Sequence, residues 1–264
     1  MNRQTIQRIL YALPLFFMLG ISLPTINNNL FSDLHLITAN RDVQSWEKGK
    51  LFSFTMKQWS KVQEDLKIAL QLDPANSKIM SKLGEHHKLL ARSSKNTRWK
   101  IQSNHRNAAD YFRQSIALRP ISPAAWASLA IIKERLKVID LEFWNAMKQS
   151  IRLGPWEPQV TLPISSAGMT YYRLMPRSMR SDMAEFIQHG FKQHGIRLWS
   201  QIEKTGHLEL ACSLMKDRNL IQRFCLGELL EKKPPQDKIQ RVSRKSIPNI
   251  PPLERSELSH RSVD

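Results

Sequence analysis

Six positive charges stand in one stretch of the chain with no acid among them. Lys88, Arg92, Lys95, Arg98, Lys100 and Arg106 fall between Glu85 and Asp110, and Trp99 sits in their midst. Cations around an aromatic ring suit a polyanion. Guanidinium and ammonium groups pair with carboxylate, sulfate or phosphate, and the ring stacks on a sugar face. Arg92, Lys95, Arg98, Trp99, Lys100 and Arg106 are therefore candidates for contact with an acidic polysaccharide, a lipid-pyrophosphate carrier or anionic headgroups. The plainer alternative is a basic, solvated loop that needs no ligand. The whole chain leans the same way, with 40 Lys+Arg against 23 Asp+Glu and a formal charge of +17.

Other reactive side chains are sparse. Cys212 and Cys225 are separated by a polar link, Lys216-Asp217-Arg218-Asn219. On an antiparallel helix pair they can meet, and an oxidising compartment then favours a disulfide worth about 3 kcal/mol for a loop of this size. Two separate buried thiols are the alternative. Two cysteines are too few for a disulfide scaffold or a Cys-based zinc site. His86 and His87 are adjacent, so on a helix they diverge and cannot chelate one ion as i,i+4 partners do. The sequence has no nucleophile elbow, Walker loop, His-Glu-x-x-His or dinucleotide fingerprint. An enzyme acting on polysaccharide would need two carboxylates on one face. Glu134, Asp140, Glu142 and Glu157 are available, but their spacing does not bring them together. The expectation is a binding protein, not an enzyme, with no cofactor and no metal.

The elements that must position these residues read as helices. Apolar residues make up 41% and aromatics 8%, with seven Trp and ten Phe, which excludes a wholly disordered chain. A mean hydropathy of −0.41 excludes a multi-span membrane protein. Nine Gly are few, and long helices tolerate that shortage. Three segments share one pattern: Leu66–Pro74, Phe112–Pro120 and Met147–Pro155. Each has a large apolar residue, a small residue three on, an apolar residue next, another two later, and a closing Pro. This is how the second helix of a tetratricopeptide (TPR) unit ends. The small residue admits a neighbouring helix and the Pro stops the chain. Trp126, Leu129 and Ala130 agree with the first helix of such a unit, as do Leu83 and Gly84 in the repeat before. Upstream, Trp46 falls at the Trp position of a first helix, while His87 and Lys133 replace the usual aromatic. The prolines are 46 and then 35 residues apart, so the first of these repeats carries an insertion of about 12 residues over the 34-residue unit.

The fold expected is an all-α, TPR-like solenoid of helical hairpins over 42–231, preceded by one transmembrane helix. Helices after Pro155 cover the end of the stack: Pro158–Leu174 (one helix, or one broken at Pro163), Arg180–His194, Ile196–Lys204, Leu208–Met215 and Leu220–Leu230. First helices line the groove of a TPR stack, which makes Lys78, Ser81, Lys88, Ile131, Glu134 and Arg135 candidate groove residues. Such grooves take extended peptides or protein tails.

The two ends differ from the body. Arg3 and Arg8 precede a run without charge from Ile9 to Ser32. Eighteen residues of helix span about 27 Å, close to the hydrocarbon thickness of a bilayer. A small-x-small cleavage pattern is missing after it, so 9–30 is expected to be an uncleaved anchor; a cleaved signal peptide or a buried helix are the alternatives. The positive leader 1–8 puts the N-terminus in the cytoplasm and the bulk of the chain across the membrane, in a bacterial cell the periplasm. That topology argues against nucleic acid as a partner, which would be the first alternative if the anchor failed. The tail 232–264 carries five Pro and eight Lys/Arg against four Asp/Glu, a composition expected to be disordered.

Several runs together resemble one known family: Arg119–Lys133, Leu141-Glu142-Phe143, Leu153-Gly154-Pro155-Trp156-Glu157-Pro158 and Leu174–Arg180. They look like the VpsP family of polysaccharide-biosynthesis-associated proteins over about residues 60–230, the Leu-Gly-Pro-Trp-Glu-Pro cassette being the most specific part. The basic stretch Lys88–Arg106 and the long tail depart from it. The resemblance implies a membrane-anchored TPR-like protein of a bacterial exopolysaccharide pathway, with synthesis or export proteins as partners, and it supplies no reaction. The expectation is a single-pass inner-membrane scaffold; a periplasmic binder of anionic polysaccharide or lipid headgroups is the alternative.

Overall fold

The computed structural model describes residues 28–43, 55–92 and 97–226. Among them lie eleven α-helices and one short 3-10 turn, and no strand. In chain order these are α1 (28–43), α2 (Met56–Leu72), α3 (Ser77–Ala91), α4 (Arg98–Leu118), α5 (Pro123–Leu136) and α6 (Leu141–Leu153). Then follow α7 (Pro158–Thr170), the 3-10 turn Tyr172–Leu174, α8 (Arg177–His194), α9 (Ile196–Glu203), α10 (Leu208–Leu214) and α11 (Arg218–Phe224).

Local chemistry sets the boundaries. Thr55 opens α2 with a capping box closed by Gln58, Asn76 caps α3, Thr97 caps α4 and Asp140 caps α6. Pro123 and Pro158 occupy the first turn of α5 and α7, where the missing N–H costs nothing. The three repeated cassettes close α2, α4 and α6. Within them Leu66, Phe112 and Met147 are buried, and so are the small residues Ala69, Ser115 and Ser150.

Consecutive helices pack as hairpins from α2 through α9. Beyond the hairpins, α5 touches α7 and α7 touches α9, while α6 touches α8. The odd helices from α5 to α9 thus form one row, with α6 and α8 in another. The larger core runs from α4 to α11 and includes Phe112, Phe143, Met183, Phe186 and Phe191. A smaller one gathers Ala39, Val43, Trp59, Leu66, Ile79 and Leu83 from α1, α2 and α3. Gly84 joins the two: a Cβ there would stand 2.8 Å from Cε1 of the buried Phe112, so only Gly lets α3 lie this close to α4.

Three expectations change in detail. The extra length between Ala91 and Leu118 is largely helix, because Arg98 to Arg106 form the first turns of the 21-residue α4. The basic stretch is therefore not a loop from Arg98 onward. Pro163 sits inside α7 without breaking it, although the helix stops at Thr170, ahead of the 3-10 turn. The packed body also starts before Asp42, since α1 buries Ser32, Ala39 and Val43.

No helix among the described residues is long and apolar enough to cross a membrane. The leader 1–8, the anchor 9–30 except its last three residues, Trp46, Lys95 and the tail 232–264 lie outside the described residues.

Candidate functional site

Four helices of the stack line a cavity of about 610 Å³. The end of α3 supplies Lys88, Leu89 and, at its C-cap, Arg92; α5 supplies Ala127, Ser128, Ile131 and Arg135. The opposite wall is Pro158, Gln159, Leu162 and Pro163 of α7, with Gln201 of α9. Ile131 and Arg135 are one turn apart on α5, so they share a face. Among the described residues, three cations line this groove and no carboxylate does. Burial first, and then the neighbouring Arg92 charge, pull the Arg135 guanidinium below its ordinary value, while Glu134 opposes the shift. Burial first, and then Arg135, also lower the pKa of His105 on α4, so this imidazole stays neutral at physiological pH. The groove can take a ligand that carries negative charge at one end and apolar groups along its length.

The six expected groove residues separate. Lys88, Ile131 and Arg135 line the groove. Lys78 and Ser81 line a smaller cavity of about 210 Å³ at the start of α3, together with Leu36 and Asn40 of α1 and with Ser77, Lys82, Ser115, Arg119 and Ser122. There the Ser81 and Ser115 hydroxyls lie 2.7 Å apart, and Ser115 Oγ donates to the Ser77 carbonyl at 2.9 Å. Glu134 lines neither cavity; it is half-buried, and burial raises its pKa.

The expected polyanion patch divides as well. Arg92 belongs to the groove. Arg98, Trp99 and Lys100 project from the first turn of α4, and Arg106 lies two turns further on; all four are exposed, Trp99 to 72%. Two cations at a helix N-terminus oppose the macrodipole, which makes this turn a concentrated source of positive potential.

Sequence reasoning missed the groove's far wall, Gln159, Leu162 and Gln201. The available signal was the alternation of helices carried beyond Pro155, one hairpin on for Gln159 and Leu162 and two for Gln201.

Two carboxylates do come together, on a cation. The Lys133 ammonium is buried between Asp140, at 2.8 Å, and Glu142, and Glu142 is also held by Arg113 at 2.7 Å. The two carboxylates make the Lys133 charge tolerable at this buried position. The Arg113 hydrogen bonds, and then Lys133, hold the Glu142 carboxyl at about 2. A carboxylate so firmly ionised fits a structural clasp between α4, α5 and α6, not a proton donor.

The histidine pair is absorbed by packing. His86 faces the Trp59 carbonyl through Nε2 at 3.1 Å, and His87 stacks on Tyr111 with Nδ1 2.9 Å from Asn104 Oδ1. Burial, and next the charge of His87, lower the His86 pKa to about 4. No cluster able to hold a metal ion lies among the described residues. Cys212 and Cys225 stand at disulfide-bonding distance, with Cα atoms 5.9 Å apart, linking α10 to the end of α11.

The segment Leu153–Pro158 has a clear local job. A Cβ on Gly154 would meet Pro123 at 2.5 Å, Trp156 packs on His189 with ring centres 5.0 Å apart, and Thr161 Oγ1 donates to the Pro155 carbonyl at 3.1 Å. It is a joint between hairpins.

In comparisons with known proteins, no family model matches the chain and no curated protein matches it significantly.

Proposed function

We propose that this chain is a non-enzymatic, membrane-anchored, TPR-like scaffold of exopolysaccharide synthesis and export. In this reading 9–30 spans the bacterial inner membrane with 1–8 in the cytoplasm, and the helical body works in the periplasm by holding partner proteins. Support for the TPR reading comes from the sequential hairpins and the buried small residue of each cassette. The pathway rests on the resemblance to the VpsP family.

The observation that carries the binding role is the groove. It runs between several helices, its floor is apolar at Ile131 and Leu162, and Gln159 and Gln201 offer amides that suit a peptide backbone. Lys88, Arg92 and Arg135 select an acidic group. The ligand is an extended, acidic segment of a partner protein. Co-purification from detergent-solubilised membranes tests this: a scaffold brings down synthesis or export subunits, and recovery of the chain alone contradicts the reading.

A second reading has its own observation, the exposed Arg98-Trp99-Lys100 turn of α4. It suits contact with an anionic polymer or headgroup. Retention on heparin or anionic liposomes, lost when Lys95, Arg98 and Lys100 are changed to Glu, is its expected outcome.

A further inference from the structure

One helix carries apolar side chains on two opposite faces. On α1, Ser32, Ala39 and Val43 are buried against the body, whereas Leu30, Phe31, Leu34 and Ile37 are 67%, 49%, 60% and 67% exposed. At about 100° per residue these four share an arc of about 120° on the side away from the core. Thr38 also falls on that arc, and its hydroxyl donates to the Leu34 carbonyl at 2.6 Å, so it requires no water. Arg41 follows one turn beyond Ile37 on the same arc.

In sequence the arc begins after Asn27, Asn28 and Asn29, beyond the apolar part of the charge-free run, which ends at Ile26. No charged residue occurs from Ile9 to Ser32, so the first turns of α1 are the end of that run. The helix is also fixed in its rotation: Ser32 Oγ donates to the Ala69 carbonyl at 3.0 Å, and His35 Nδ1 lies 3.2 Å from Asp65 Oδ1. Both bonds tie α1 to α2, so the apolar arc cannot roll inward without breaking them.

We propose that α1 is seated on the bilayer surface, with Leu30, Phe31, Leu34 and Ile37 in the boundary between headgroups and acyl chains. Arg41 then marks where the helix leaves the lipid, its stem in the apolar zone and its charge at the phosphates. Lipid is favoured over a second copy or a protein partner because the stretch entering α1 has bilayer length and reaches the arc without a charged break. The proposal rests on reading 9–30 as an anchor and goes beyond it: α1 would hold the helical body in one orientation against the membrane.

The experiment places a photo-crosslinking residue at position 34 or 37 of the full-length protein in native membranes, with position 61 on the exposed side of α2 as the reference. Adducts are identified by mass spectrometry. Lipid adducts at 34 and 37, absent at 61, are expected. Adducts only to a second copy or to another protein, or no adduct at all, overturn the proposal. The anchor is scored separately by carbonate extraction of the wild type. Lipid adducts in an extractable protein leave the seating of α1 standing while removing the anchor; retention without lipid adducts removes the seating alone.

Discussion

At the scale of single residues, the charges of the body are clasped by opposite charges at the junctions and gathered with one sign along the groove. Lys133 shows the first case. Its ammonium is buried while Asp140 and Glu142 keep contact with solvent, so the two sides of the clasp are unequal. Removing the carboxylates strands a buried cation, whereas removing the cation leaves two acids that water can serve. The double change Asp140→Asn, Glu142→Gln should therefore cost about 3–5 kcal/mol in denaturant unfolding, and Lys133→Met distinctly less. Equal losses would contradict this picture.

His86 gives a pH signature. Its folded pKa of about 4 lies below the model-compound value of 6.5, so the unfolded chain takes up a proton first as pH falls. The contribution is complete above pH 6.5 and is lost as pH drops toward 4, by roughly 3 kcal/mol over that window. Thermal unfolding at a series of pH values should show this decline, and His86→Gln should flatten it.

At the scale of elements, close approach and end-clamping hold the hairpins. Gly84→Ala forces a methyl group against the Phe112 ring, which is itself buried on all sides. A loss of about 1–3 kcal/mol is expected, measured by chemical denaturation. At the other end, α10 and α11 have seven residues each and are held by the Cys212–Cys225 link and by the Trp199 Nε1 bond to the Phe224 carbonyl, 3.0 Å. Replacing both Cys by Ser should cost about 3 kcal/mol and raise hydrogen exchange first in these two helices; unchanged exchange would show that packing alone holds them.

Much of this was legible in the chain itself. The cassettes at Leu66, Phe112 and Met147 announced both the helix ends and the small buried residues, because steric limits at a helix crossing leave a local mark. Helix α1 was harder to see. Its buried residues Ser32, Ala39 and Val43 are small or modest, and polar residues from Asn27 to Asn29 and at Asp33, Asn40, Arg41 and Asp42 break the pattern around them, so periodicity marks no core face there. The basic stretch was misleading for a related reason: Lys, Arg, Asn and Ser between Lys88 and Arg106 suit a loop as well as an exposed helix, and only packing of His105, Ala108 and Ala109 decides for helix from Arg98. The groove was half legible. Periodicity identified Lys88, Ile131 and Arg135, but Lys78 and Ser81 lie about three and two turns earlier on α3, and the helical rise carries them to another cavity.

At the scale of the whole molecule, the account describes a body whose electrostatics are divided by place. The groove end carries Lys88, Arg92 and Arg135; the start of α4 carries Arg98 and Lys100 on a different element. The two sites can thus be altered independently. The most direct measurement is quantitative co-purification from solubilised membranes of the wild type, an Arg92→Glu, Arg135→Glu variant and an Arg98→Glu, Lys100→Glu variant, each first checked for unchanged thermal unfolding. The account expects the groove variant to lose its partner proteins and the α4 variant to keep them. Partners retained by the groove variant, or lost only from the α4 variant, would contradict it.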